Sequence, residues 1–215
     1  MSPLIAEYNR RRNSTYAPTR RGARELLLAC LYEAGHWYAY AHFKVPVCLA
    51  YVNRRSSVGE GYVTPTHLLG LVPYKMIDEV EYIAFIAGPG VMIALAPLED
   101  REITRVTSQR DIQIAKEILK RAHGDNHDGQ KLLKANCISQ TRRLIYQNWP
   151  IIEALAYELM IGGKLYIDAC SKAERRYGIG HYFYATVGRL KSAKENLSVF
   201  HSSPEELVKA LRAIT

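Results

Sequence analysis

The sequence predicts an α+β fold, predominantly α-helical, with a small β-hairpin and a C-terminal helical extension, and three patterns carry that prediction. From Arg20 to about Phe43, Leu27, Cys30, Leu31, Ala34, Tyr38 and Ala41 recur at three- and four-residue spacing, which places them on one helical face. Val45 to Tyr51 and Gly59 to Thr64 are short β-branched and apolar runs on either side of the turn material Asn53 to Ser57, which reads as a hairpin. Residues 130–162 return to helical spacing and stop at Gly162-Gly163.

The remaining elements follow in order. Residues 1–19 read as an irregular basic arm ending in Ala17-Pro18-Thr19. Residues 76–97 are strongly apolar, and Gly88-Pro89-Gly90 predicts a break between two helical pieces. A helix is expected from about Ser108 to Ala122, followed by the polar loop His123 to Gly129. After Gly163 the chain becomes more basic and richer in tyrosine (Tyr166, Tyr177, Tyr182, Tyr184). Ser203-Pro204-Glu205-Glu206 then opens a last helix with a cap, a first-turn proline and first-turn acids. The chain thus divides into an arm (1–19), a main domain (20–165) and a C-terminal helical extension (166–215).

Composition narrows the class. With 48% hydrophobic and 10% aromatic residues among 215, the chain can bury a sizeable core, which excludes disorder over most of its length. The longest charge-free stretch, Tyr82 to Leu98, is interrupted by Gly88-Pro89-Gly90 and falls short of the ~20 apolar residues of a spanning helix, so no membrane span is expected. The start lacks the apolar core and cleavage site of a secretory signal, which makes the cytoplasm the default; its Arg-rich, acid-poor character is also that of an organelle transit peptide. Cys30, Cys48, Cys137 and Cys170 stand singly without a CxxC pair, which gives no support to a zinc ribbon or a thioredoxin-like site. The formal charge of +8, with Arg10, Arg11, Arg12, Arg20, Arg21 and Arg24 near the start, admits a nucleic-acid or acidic partner, although no helix-turn-helix, RNP-type motif or zinc finger accompanies it.

One pentapeptide carries chemical information: Tyr32-Glu33-Ala34-Gly35-His36, inside the first long helix. A zincin helix places two histidines at i and i+4 on one face, with a glutamate at i+1 polarising the zinc-bound water. Glu33 and His36 occupy the second and fifth positions, and Tyr32 stands in the first. Read on its own, the segment is equally an ordinary helix with a core histidine, in which Tyr32 and His36 hydrogen-bond as i,i+4 neighbours. Asp111 likewise has a local reading, as the acid of a Ser108-x-x-Asp111 capping box. His42, His67, His123, His127, Asp125 and Asp128 are further ligand types, but Gly124 and Asn126 place the His123/His127 pair in a loop.

The order of several segments resembles the peptidase domain of FtsH-type ATP-dependent zinc metalloproteases, whose helix reads His-Glu-Ala-Gly-His. The matching segments are Val58 to Pro65 for the returning strand, Ala87 to Met92 for the apolar helix, Ser108 to Ala115 for the helix bearing an acidic ligand, and Asn148 to Ala156 with Gly162 to Leu165 for the closing helix. The likeness spans about residues 20–170, and it makes residues 20–165 the FtsH-like, zincin-like domain. It implies Glu33 as general base and His36, Asp111 and, in place of the missing histidine, Tyr32 around a possible zinc. No Walker-type G-x-x-x-x-G-K-[ST] is present, so no ATP is expected. Met92 falls where the family carries an acid. A degenerate peptidase that binds a protein or peptide is the expected function, a pseudoenzyme in effect. Its alternatives are an active zinc metallopeptidase with an atypical ligand set and a basic interaction protein acting through the Arg-rich arm.

Overall fold

The structure is a computed structural model, and it describes residues 1–16, 22–45, 47–53, 61–65, 73–95, 109–166 and 197–214. In chain order the elements are α1 (Pro3–Arg12), α2 (Ala23–His42), β1 (Val47–Val52), β2 (Gly61–Pro65), a 3₁₀ turn (Tyr74–Met76), α3 (Ile77–Ala94), α4 (Gln109–His123), α5 (His127–Gln147), α6 (Trp149–Gly162), β3 (Lys164–Tyr166) and α7 (Pro204–Arg212). The fold is α+β and mostly helical, as the spacing predicts. No described helix is long and apolar enough to cross a membrane.

α2 is the centre of the molecule. Leu26 to Ala41 are buried without interruption, so the helix is enclosed on every side rather than amphipathic. α3 and α6 pack along it, and β1 and β2 cover its remaining flank. Tyr38, Leu27, Leu31, Ile83, Ile152, Leu155 and Trp149 form the deepest part of this core. The exit from α2 is a Schellman motif: the Val45 N–H donates to the Tyr40 carbonyl and the Lys44 N–H to the Ala41 carbonyl. Lys44 takes the left-handed φ of 61° that this turn requires, and the buried Val45 leads into β1.

The hairpin forms where the sequence places it, with Ala50 opposite Val63 and Tyr51 opposite Tyr62. A third strand, β3, completes the sheet in the order β2-β1-β3. Three residues are too few to show an alternation, which is why this strand has no sequence signature. Gly163, at φ 72°, ends α6 and its carbonyl accepts from the Val52 N–H, so the predicted terminator also sets the pairing of β3 with β1.

Four expectations are corrected. Residues 3–12 of the supposed arm are helical and packed: Leu4 and Ile5 are buried, and Ser2 caps the helix by accepting from the Ile5 N–H. Arg10 and Arg11 both pair with Glu7, Arg11 also donates to the Met160 carbonyl at 2.9 Å, and Arg12 donates to the Ile214 carbonyl. These arginines therefore serve intramolecular contacts. Gly88-Pro89-Gly90 does not break α3, which runs through Pro89 because the glycines admit close neighbours, His36 at Gly88 and Ile145 at Gly90. Residues 130–162 make two helices rather than one, because Asn148 leaves helical geometry (ψ 21°) and Trp149-Pro150 starts α6. The polar loop shrinks to residues 124–126, since His123 ends α4 and His127 begins α5.

The last helix begins at the predicted Ser203-Pro204 cap and buries Leu207, Val208 and Leu211. Tyr177, Tyr182, Tyr184, His67 and Ser108 lie outside the described residues.

Candidate functional site

Three elements bring the predicted site residues together. On α2, Tyr32 and His36 are one turn apart, and their rings meet edge to face at 4.8 Å. α4 supplies Asp111 from its first turn. The register of α4 is held at its other end by Arg121, whose Nε donates to Asp78 of α3 at 2.8 Å and whose terminal nitrogen reaches Glu81. α3 contributes backbone: the carbonyl of Ala84 lies 2.7 Å from His36 Nδ1. Gly88 permits that approach, since a Cβ there would stand 2.3 Å from His36 Nε2 and 2.9 Å from the Tyr32 ring.

Asp111 is the hub. Its Oδ2 accepts a hydrogen bond from the Tyr32 hydroxyl and lies 3.2 Å from His36 Nε2. Both ring nitrogens of His36 thus face acceptor oxygens, Ala84 O on one side and Asp111 Oδ2 on the other, an arrangement satisfied by the imidazolium, in which both nitrogens donate. The electrostatics agree. Burial opposes charge on His36, but the Asp111 hydrogen bond, the negative charge of Glu33 and the Ala84 carbonyl outweigh it and raise its pKa. Burial also opposes charge on Asp111, yet His36, Tyr32 and Arg110 together hold its carboxyl below the ordinary value. Asp111 is therefore more than the acid of a helix cap.

Glu33 faces another direction. It is buried beneath the start of β2, where a Cβ on Gly61 would lie 2.7 Å from its Cγ and 2.9 Å from its Oε1. Burial pushes its carboxyl up to about 7; His36 acts downward and Asp111 upward on it. Met92 is buried in α3.

The zinc implied by the resemblance does not fit this donor set. A catalytic zinc takes three protein ligands and a water. Here two ligand types, His36 and Asp111, are satisfied by each other, and the third position is a phenol already donating its proton to Asp111. Among the described residues no group of three His, Cys, Asp or Glu side chains is arranged to hold a metal ion. His123 and His127 do not share a helix, because Gly124 turns the chain at φ 54° between them.

A second polar cluster, not anticipated from the sequence, centres on Glu153. Glu153, fully buried in α6, accepts from the Ser2 hydroxyl at 2.6 Å, the His201 N–H at 2.9 Å and His201 Nδ1 at 3.0 Å. The glutamate in an apolar helix was the readable signal, since a carboxylate there needs partners, but nothing in the sequence says that they come from the two ends of the chain. No family model, no curated protein and no solved structure matches the chain.

Proposed function

We propose that this chain is a peptidase-like fold that binds an extended segment of protein or peptide without hydrolysing it through a metal. The observation that carries the reading is the hydrogen-bonded closure of Tyr32, His36 and Asp111 on one carboxylate oxygen, which occupies the donors a zinc peptidase would need free. The binding half of the reading is supported by the sheet. Among the described residues β2 pairs with β1 alone, so its other edge offers backbone donors and acceptors to an added strand. Tyr62 on that strand is half-exposed, and its ring lies 5.3 Å from that of Tyr51 at a tilt of 42°, an aromatic pair on one face of the hairpin.

The test is a binding and cleavage assay on unfolded casein, with the metal content of the same protein measured in parallel. Saturable binding that survives chelator, with no cleavage products, is the expected result. Turnover that Glu33→Gln abolishes, in protein carrying stoichiometric zinc, would establish a working metallopeptidase instead. Absence of any casein binding would remove the peptide-binding reading.

A further inference from the structure

We infer that Tyr32 replaces the metal ion itself and not merely one of its ligands: its hydroxyl ties α2 to Asp111 of α4 across the place an ion would occupy, and so keeps the site metal-free. The inference uses the peptidase-like reading for its reference point, the zinc helix, while the contacts stand without it.

The geometry supports this in three steps. First, Tyr32 and His36 hold the i and i+4 positions from which a helix presents two ligands to one ion. Second, His36 Nε2 and Asp111 Oδ2 are 3.2 Å apart. Two ligand atoms on a tetrahedral zinc with bonds of ~2.0–2.1 Å are separated by about 3.3 Å, so the two side chains are close enough to share an ion, and here they meet instead in a direct hydrogen bond. Third, the phenol breaks the pattern. Its oxygen lies farther from the backbone than an imidazole nitrogen does, and it reaches Asp111 in direct hydrogen-bond contact, closer than two oxygens sharing a zinc would stand. The proton of the phenol thus makes the link between helices that an ion makes elsewhere. Because the acceptor is a carboxylate, that link is a charge-assisted hydrogen bond.

The experiment compares full-length wild type, Tyr32→His and Tyr32→Phe, each incubated with zinc or cobalt(II), desalted and assayed for metal. The wild type is expected to retain substoichiometric metal. Tyr32→His, with the shorter ligand and no phenolic proton, should retain stoichiometric zinc and give the intense visible absorption of tetrahedral cobalt(II). Tyr32→Phe keeps the ring and loses the hydroxyl; it should retain no metal, and amide exchange in the second turn of α4, where the N–H groups are hydrogen-bonded within the helix, should accelerate about tenfold or more. Stoichiometric zinc in the wild type overturns the inference, as does a folded Tyr32→His that takes up none. If Tyr32→His does not fold, Tyr32→Phe decides: metal uptake, or unchanged exchange in α4, overturns it. Casein binding is read separately, so a failure of the peptide-binding proposal leaves these metal and exchange results interpretable.

Discussion

Gly61 lies directly on Glu33: a Cβ at that position would be 2.7 Å from the Glu33 Cγ and 2.9 Å from the Tyr51 carbonyl oxygen. The first residue of β2 therefore crosses the buried acid with no side chain between them, and one of the two clashing neighbours is backbone that cannot swing away. Replacing glycine by alanine within a strand ordinarily gains ~0.5–1 kcal/mol. Gly61→Ala should instead lose about 1–3 kcal/mol through overpacking, measured by urea denaturation. A gain would mean that the strand does not press on the acid.

Glu33 also makes stability depend on pH with a definite sign. Its folded pKa is pushed up to about 7 from the ordinary 4.5 of a glutamate, so the fold favours the protonated acid. Below about pH 4.5 both states hold the proton and there is no penalty. Between about 4.5 and 7 the unfolded chain ionises while the folded one does not, and stability falls as pH rises. Above 7 the penalty levels off at a few kcal/mol, from ~1.4 kcal/mol per pKa unit. Glu33→Gln removes this term. The stability difference between variant and wild type should therefore move in the variant's favour as the pH goes from 4.5 to 7 and be flat outside that window. A difference curve without slope there would show that the acid is not protonated in the fold.

Lys44 carries a conformation suited to glycine. At φ 61° it closes the Schellman motif that turns α2 into β1, with its side chain exposed. A left-handed conformation costs a residue with a Cβ roughly 1 kcal/mol. Relief of that cost less the ~0.5–1 kcal/mol of entropy glycine loses on folding leaves Lys44→Gly a gain of up to ~0.5 kcal/mol, and thermal unfolding should report it. A decrease would mean that the lysine side chain holds the turn by a contact of its own.

What could be read from the sequence depended on whether a residue's local chemistry and its tertiary setting agreed. Leu27, Cys30, Leu31 and Ala34 announce α2 because the pattern and the burial coincide. Tyr32, Glu33 and His36 could be singled out by their spacing on one helix and Asp111 only through the resemblance to a zinc peptidase, and the structure brings Tyr32, His36 and Asp111 together, with Glu33 turned toward β2. Where the two conflicted, local reading failed. Gly88-Pro89-Gly90 looks like a breaker, yet α3 continues because His36 and Ile145 pack where glycine side chains are missing. Arg10 to Arg12 look solvated, yet Glu7 and two backbone carbonyls engage them. The cap that predicts α7, Ser203-Pro204, has its counterpart in Ser2-Pro3 at the start of α1. The density of charge that follows hid it.

The Glu153 cluster predicts a coupling between the two ends of the chain. One fully buried carboxylate on α6 holds Ser2, the cap of α1, and His201, just ahead of α7, through hydrogen bonds of 2.6 to 3.0 Å. The other buried acid of these segments, Glu7 of α1, is already paired with Arg10 and Arg11. Glu153→Gln keeps the shape but turns an amide N–H₂ toward donors, leaving buried polar groups opposed, at a cost of about 3 kcal/mol. Both α1 and α7 should loosen, although they lie at opposite ends of the sequence. Hydrogen exchange followed by mass spectrometry reads this directly: peptides covering residues 3–12 and 204–212 should exchange faster together, while the middle of α5 keeps its wild-type rate. Acceleration confined to α7 would show that Ser2 contributes nothing through Glu153, and that α1 is held by Leu4, Ile5 and the Arg11 bond to the Met160 carbonyl alone.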